Sequence, residues 1–551
     1  MDTTAPAVSA EAVPGSAVEP AAWRTWVGTI AVVLPIPLLL SWFLYEQWHA
    51  LRALMGFIGA GLAVVGLVRF TRAAAAGRRD LVSAFFVAGG LTICVTMLWN
   101  YAYLDFAQSS IKGSREVFRT NFRRHFAPFY GKPAMATWGA ALPAITLGVG
   151  VMVGIWFWKP ARLLRQWGLP LIMAIQLAMI AALGASDLDI VPAKGAPAGS
   201  ADRISGRSEG FRLFREDAAK FKSVAHVLRL YVGRMDSLSW YGQHYPPGPA
   251  ILFRIERQLG VYPLGGWATA LGVVLSTPFI YLAGRALSDR PMVANAAVAS
   301  YAAATGGLLY PLLSVTPLVL LPGSIAVWAF VRGLRGPLAA GLLGALLGVS
   351  MVAFAMVSLS AAYFALVLAV IWIACLILRL VPWPNLLILA AAGAGAAFGC
   401  HGLLKHGTGF DLFACAAKAV ELHHKQMGTT GFDGFDTWFF RTTCNLLAFL
   451  LINLPLLGLF VATGLIWRRG DWRDVGRLFC PAVTLAVLVA AGSGKFYAET
   501  ERIWMLFLPA IVIVAGLELA REDRETDVRR AIALMTLFVV LQELIFIHGA
   551  T

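Results

Sequence analysis

Residues 186–249 form the longest polar segment in a chain that otherwise consists of successive hydrophobic runs. This segment contains the sequence FREDAAKF at residues 214–221 and ends with QHYPPGP at residues 243–249, directly before the hydrophobic runs resume. Acidic side chains and conformationally restricted prolines are therefore concentrated between two groups of hydrophobic runs. We expect the chemistry of the protein to take place in this segment.

The composition is typical of a membrane protein. Of the 551 residues, 59% are hydrophobic and 14% are charged, whereas about 25% of the residues of a soluble domain are charged. Hydrophobic runs of about 20 residues predict membrane-spanning helices, and the 54 glycines would allow such helices to approach closely. We predict an all-α polytopic membrane protein with about 13–15 transmembrane helices.

The hydrophobic runs also define the predicted domains. Residues 1–22 have the composition of a disordered tail. The remaining divisions are N-terminal transmembrane helices at 23–160, a transmembrane core at 161–402 that includes an outer loop at 187–245, a second outer loop at 403–440, and C-terminal transmembrane helices at 441–551.

The basic residues indicate the orientation. Short Arg and Lys clusters follow the even-numbered hydrophobic runs, with residues 106–135 as the exception. Because such clusters remain in the cytoplasm and contact anionic lipids, we predict a multi-pass protein of the cell (plasma or inner) membrane with a cytoplasmic N-terminus. The outer face then carries 187–245, 403–440 and 492–502. The net charge is +15, and we expect its partners to be membrane lipids and not nucleic acid.

Residues 209–235 have the periodicity of a helix. The pattern predicts one or two amphipathic helices lying on the membrane surface, and the alternative is a solvated loop with a small core of its own. The apolar positions, at spacings of three, four or seven, are Phe211, Phe214, Phe221, Val224, Leu228 and Tyr231.

Four acids are candidate catalytic residues. Asp217 could accept a proton from an attacking hydroxyl, or it could be a surface charge paired with Lys220 or Arg215 at helical spacing. Its neighbour Glu216 would point elsewhere on a helix.

The other two acids, Asp187 and Asp189, form an Asp-X-Asp pair at the end of the fifth run. Such a pair can hold a divalent cation, for example Mg or Mn, or it can be two acids at a helix end.

Further polar groups are candidates for substrate binding. His244 and Tyr245 precede two prolines that restrict the backbone. His423 and His424 are adjacent and would not share a helix face, which makes a metal site there improbable but allows contact with a phosphate or sugar. The segment KFYAETERIW at 495–504 could grip a phosphate, because Arg binds phosphate in a bidentate manner; alternatively it is an interfacial anchor. Its candidates are Lys495, Tyr497, Glu499, Glu501 and Arg502.

These segments together resemble the GT-C superfamily of membrane glycosyltransferases. The resemblance lies in the acid-containing helical segment followed by HYPPGP (244–249), in AETERIW (498–504) and, more weakly, in RTTCNL (441–446), which begins with Arg441. In HYPPGP, Tyr245 intervenes between the histidine and the prolines of the family pattern. The four runs before residue 160 exceed the usual arrangement of the family.

The resemblance implies an inverting transfer of a sugar from a polyprenyl-phosphate donor to a glycan, lipid or protein hydroxyl. An outer-loop aspartate would act as the base, with Asp217 as the first candidate and Asp187 or Asp189 as the alternative. A cofactor is not implied beyond a possible divalent cation. Two other functions remain open, a transporter or flippase for lipid-linked glycans and a non-catalytic protein of cell-envelope assembly.

Overall fold

The computed structural model describes residues 161–186, 209–427 except 262–263, 305–306, 309–310 and 313, then 472–493 and 504–520, with isolated positions elsewhere. The described chain is helical and contains no strand. The helices are α1 (Ala161–Ser186), α2 (Glu209–Ala219), α3 (Val224–Arg234), α4 (Trp240–His244), α5 (Gly248–Leu259), α6 (Leu264–Leu287), α7 (Pro291–Ala302), α8 (Leu320–Gly333), α9 (Pro337–Val357), α10 (Ala361–Ile377), α11 (Trp383–Thr408), α12 (Leu412–Met427), α13 (Val475–Gly492) and α14 (Leu508–Leu519). Short 3-10 turns occupy Met235–Ser237, Thr316–Val319 and Trp504–Phe507.

Five segments of the described chain are long and apolar enough to cross a membrane. They are Leu264–Leu287, Thr316–Gly333, Pro337–Val357, Trp383–Thr408 and Val475–Gly492, and shorter apolar helices cover Gly168–Ala182, Ala361–Ile377 and Trp504–Leu519. The prediction of an all-α, membrane-embedded chain is confirmed to this extent. Most of the predicted N-terminal and C-terminal spans lie outside the described residues, so the total number of spans stays a prediction.

Small residues bring the apolar helices together. A Cβ on Gly344 of α9 would lie 2.7 Å from the carbonyl oxygen of Leu389 in α11, so the two backbones are nearly in contact. Gly284 of α6 approaches α7 in the same way, where a Cβ would lie 2.7 Å from Ala294 Cα. Such close approach is a common means of packing helices in a membrane, where apolar surface is already solvated by lipid.

One end of the helix bundle is basic. Arg285 and Arg332 lie in the last turns of α6 and α8, and Arg335 Nε donates a hydrogen bond of 3.1 Å to the carbonyl oxygen of Ala286. The ends of α6 and α8 and the start of α9 are therefore neighbours. This arrangement agrees with the clustering of basic residues from which we predict the cytoplasmic side.

The opposite end carries a polar cap, which we define as α2 to α5 together with α12. Phe253 of α5 packs on Gly265 at the start of α6, and Gly248 at the start of α5 packs on Met356 at the end of α9. Helix α12 follows the end of α11 and packs on α3 and α4. Residues 209–249 and 411–427, separate in sequence, thus meet at one end of the bundle.

The cap corrects one prediction. Phe211, Phe214, Phe221 and Tyr231 are all 0–1% exposed and pack inside the protein, so this apolar stripe does not face lipid. The core is not the loop's own, as the alternative held, because it is shared with residues of α5 and α12 such as Phe253 and Leu422. It includes the ring pair Phe211–Phe253, with centroids 5.4 Å apart, and the pair Phe214–Tyr245, at 5.5 Å.

Candidate functional site

Asp217 lies inside the cap and not on its surface. Its side chain is 0% exposed and accepts hydrogen bonds from Ser239 N (2.8 Å), Ser239 Oγ (2.5 Å) and Lys220 Nζ (2.9 Å). Ser239 in turn caps α4 by accepting a hydrogen bond from Gly242 N. The pairing with Lys220 that we considered from sequence is present. The Asp217 carboxylate therefore holds the start of α4, a structural task that leaves it little freedom to meet a substrate.

The other candidate acids are not brought to this place. Glu216 is about half exposed and forms a surface ion pair with Arg212, with 2.6 Å between Nη1 and Oε1. Asp187 and Asp189 lie outside the described residues. Among the residues that are described, no group of three or more His, Cys, Asp and Glu side chains could hold a metal ion. The divalent cation that would involve the Asp-X-Asp pair therefore remains untested.

Two buried contacts fix the HYPPGP segment. The Tyr231 hydroxyl of α3 lies 3.0 Å from the carbonyl oxygens of both Gly242 and Tyr245, and burial raises the pKa of this phenol well above its ordinary value. At the far end of the segment, a Cβ on Gly248 would lie 2.4 Å from the Met356 carbonyl oxygen. The segment is therefore held between α3 on one side and the end of α9 on the other.

His244 is the last residue of α4, and its tautomer follows from its surroundings. Nδ1 lies 2.7 Å from the carbonyl oxygen of Trp240, and because a carbonyl can only accept, Nδ1 carries the hydrogen. In the neutral ring Nε2 then has a free lone pair. Nε2 is buried and has no hydrogen-bond partner among the described residues. Burial also lowers the pKa of His244 from its ordinary value, so the ring is neutral at neutral pH.

Rings from two polar segments surround His244. The Trp240 ring lies with its centroid 4.3 Å away, and the His423 ring of α12 lies at 5.3 Å, nearly perpendicular. An ion pair between Lys418 Nζ and Asp236 Oδ2, at 3.3 Å, joins α12 to the 3-10 turn before α4. His424 follows His423 with the ring centroids 6.3 Å apart. The structure thus brings together His244 and His423, which the sequence offered as separate candidates.

Tyr245 points toward the apolar bundle. Its hydroxyl lies 3.5 Å from Thr316 Oγ1 in the 3-10 turn Thr316–Val319, and this turn packs against the turn Trp504–Phe507. The Trp438 indole donates a hydrogen bond of 2.7 Å to the carbonyl oxygen of Gly492. The residues that flank the third predicted segment are therefore at this same end of the bundle. The candidates within it lie outside the described residues: Lys495, Tyr497, Glu499, Glu501 and Arg502, together with Arg441.

No protein family, curated protein or solved structure matched this chain. The resemblance to the GT-C superfamily consequently rests on the sequence motifs alone.

Sequence reasoning missed the residues that join the cap to the bundle. Arg215 Nε and Glu256 Oε1 form a largely buried ion pair at 2.7 Å, and Glu256 Oε2 accepts from the backbone N–H of Gly265 at 2.6 Å. Glu256 therefore caps α6 and at the same time neutralises the charge of Arg215 on α2. A signal existed in retrospect, because Glu256 is the single acid of a helix whose other charged residues are basic.

Proposed function

We propose that the chain is a membrane glycosyltransferase that moves a sugar from a polyprenyl-phosphate donor to the hydroxyl of a glycan, lipid or protein. The observation that carries the proposal is the meeting of residues 209–249 and 411–427 at one end of an apolar helix bundle, around His244. A polyprenyl donor keeps its tail in the bilayer and its phosphate at the interface. An enzyme that uses it requires polar groups at the end of membrane helices, which is where the cap lies.

The reaction has simple requirements. The acceptor oxygen attacks the anomeric carbon of the sugar, the bond from that carbon to the phosphate oxygen breaks, and polyprenyl phosphate leaves with the electron pair. The hydroxyl proton passes to a base on the protein. Stabilisation of the charge on the departing phosphate is the largest expected contribution of the protein.

The described residues support specific roles. His244 Nε2, neutral and without a partner among the described residues, is suited to accept a hydrogen bond from the acceptor hydroxyl. His423, His424 and Tyr245 are suited to contact sugar or phosphate, and we assign phosphate binding to Arg502 and Lys495 by resemblance. We assign a positioning role to Asp217 because its carboxylate is occupied by Ser239 and Lys220. Asp187 or Asp189 is then the carboxylate base that the resemblance implies, with a divalent cation as a possible cofactor.

The two ends of the bundle support a location. The end with Arg285, Arg332 and Arg335 is assigned to the cytoplasm because basic residues are retained there. The cap would then lie on the outer face of the cell membrane. We infer a multi-pass chain with both polar segments on that face.

The test uses the full-length chain in liposomes with a panel of synthetic undecaprenyl-phosphate hexoses and pentoses, and cell-membrane extract as the acceptor. Release of undecaprenyl phosphate is measured, because every sugar transfer from these donors produces it. We expect release with one class of donor. Two single variants, His244→Gln and either Asp187→Asn or Asp189→Asn, should each lower the rate of release by about 10²-fold or more, as loss of acid–base help does. Glu216→Gln is the matched control and should keep full activity.

Two results would overturn the proposal. If a labelled donor crosses the bilayer and stays intact, the chain is a flippase. If no donor of the panel is consumed in the presence of the wild-type protein and the extract, the chain is not an enzyme of this class.

A further inference from the structure

We propose that helix α5 and the turn at residues 220–223 form a binding surface for anionic phospholipid headgroups. The proposal depends on the protein being embedded in a membrane and not on the reaction it performs. We call the surface formed by Lys222, Arg254, Arg257, Ile255 and Leu259 the α5 surface.

The position of α5 suits the headgroup layer. Its first residue, Gly248, packs on the end of α9, and Phe253 packs on the start of α6. Both α9 and α6 are long and apolar enough to cross a membrane. Because both parts of α5 lie at the level where these helices end, α5 runs across the end of the bundle, parallel to the expected membrane surface.

The apolar side of α5 that faces away from the protein is not covered. Ala250 and Phe253 are buried, whereas Ile255 is 36% exposed, Leu259 63% and Val261 51%. Ile255 and Leu259 are four residues apart and so share one side of the helix. Val261 comes three residues before α6 begins. An exposed apolar stripe that continues into an apolar helix is expected to lie among acyl chains.

Within the described part of the chain, the cations of the α5 surface have no acid of their own. The carboxylates of Glu256, Asp217 and Glu216 pair with Arg215, Lys220 and Arg212, respectively. Among the described residues, none of these acids pairs with Lys222, Arg254 or Arg257.

The two segments that carry these cations are also in contact. The Arg254 guanidinium donates through Nη2 to the carbonyl oxygen of Lys222, so the turn and the helix lie side by side. Arg254 Nε is buried without a hydrogen-bond partner in the described chain. The α5 surface therefore combines an apolar stripe with uncompensated positive charge, which complements the acyl chains and the phosphate of an anionic lipid.

The first experiment measures lipid preference. Delipidated full-length protein is titrated with equal amounts of phosphatidylglycerol and phosphatidylcholine, and bound lipid is counted by native mass spectrometry. We expect the wild type to prefer phosphatidylglycerol, and we expect Lys222→Gln and Arg257→Gln each to lower the preference about fivefold, the effect of one basic residue near an anionic surface. Arg229→Gln, an exposed basic position on α3, is the control and should keep the preference.

The second experiment does not depend on charge. A benzophenone amino acid is placed at Leu259 or at Arg229, an exposed position on α3, and the protein is irradiated in liposomes. We expect lipid adducts from position 259 in clear excess over position 229, because only Leu259 lies on the apolar stripe.

Each outcome decides the proposal. Retention of the lipid preference in Lys222→Gln, Arg257→Gln and their double variant would overturn it, as would equal adduct yields at 229 and 259. Competition by inorganic phosphate as strong as that by phosphatidylglycerol would show a site for free phosphate and would equally overturn the assignment to lipid.

Discussion

The carboxylate of Asp217 and the backbone and hydroxyl of Ser239 form two hydrogen bonds of 2.8 and 2.5 Å across 22 residues of sequence. This relationship joins α2 to the start of α4, the helix that ends in His244. A Cβ on Gly242 would lie 2.3 Å from Asp217 Oδ2, so α4 is seated directly on the carboxylate. The acid that looked most like a base in the sequence is thus the residue that positions the histidine.

Removal of the Asp217 carboxylate should destabilise the cap. Asp217→Ala leaves the Ser239 N–H without its acceptor and removes the carboxylate from Lys220, whose ammonium keeps its hydrogen bond to Ser237 O. We expect a loss of about 3 kcal/mol in the free energy of unfolding, since hydrogen bonds to buried charged groups contribute about 1.5–3 kcal/mol. Thermal unfolding of the full chain in detergent measures it. Glu216→Ala, one position earlier and in an exposed ion pair, should cost no more than about 1 kcal/mol. Equal losses in the two variants would contradict the positioning role.

Gly248 is required by the close approach of α5 to α9. In Gly248→Ala the new Cβ would lie 2.4 Å from the Met356 carbonyl oxygen, and because that atom is backbone, a helix must move. We expect a loss of about 1–3 kcal/mol, as for other overpacked sites, measured by thermal unfolding. Gly233→Ala is the control, because nothing lies within 4 Å of its Cβ and Ala favours a helix by about 1 kcal/mol. A stable Gly248→Ala variant would show that the contact is loose.

The fold was predictable where the signal was local. Hydrophobic runs predicted α6, α9 and α11 because each helix is long and apolar throughout. The periodicity of 209–235 likewise predicted helices. The periodicity could not show what the apolar side of these helices packs against, because a stripe that faces lipid and a stripe that faces protein have the same spacing. Phe211 and Tyr231 proved to face protein, whereas Ile255 and Leu259 of α5 do not.

The candidate site was predictable in part. His244 and His423 were both recognisable as unusual, but 179 positions separate them in sequence, and only the packing of α12 on α4 brings them together. The role of Asp217 was not accessible, because a carboxylate beside Arg and Lys has the same sequence whether it is exposed or buried. The Asp217 carboxylate is buried against Ser239 and Gly242, and these two residues form no recognisable sequence motif.

Glu256 should be more important for stability than any exposed acid of the cap. It is 4% exposed, pairs with Arg215 and caps α6 through Gly265 N. Glu256→Ala removes the carboxylate of a largely buried ion pair and the acceptor of the Gly265 N–H, and we expect a loss of about 3 kcal/mol, at the lower end of the range for broken buried pairs, by thermal unfolding. Glu421→Ala removes the partner of Lys418 on the surface and should change stability by less than about 1 kcal/mol. If both variants lost the same stability, the buried pair would not be what joins the cap to the bundle.

The stability of the cap should fall on acidification, with His244 as one cause. Burial lowers the pKa of His244 below its ordinary value of 6.5, so between the lowered pKa and 6.5 the unfolded chain binds more protons than the folded chain. The free energy of unfolding therefore decreases as the pH falls through this window and is unaffected by His244 above it. A protonated His244 would also lie against the ring of His423, 5.3 Å away, which adds repulsion if that ring is charged too.

We expect a series of thermal unfolding measurements from pH 8 to pH 5 to show a steeper loss for the wild type than for His244→Gln. His406→Gln is the control, since that exchange alters an exposed position of α11 outside the cap and should keep the wild-type slope. The same slope in His244→Gln and the wild type would contradict the lowered pKa of His244 in the folded protein.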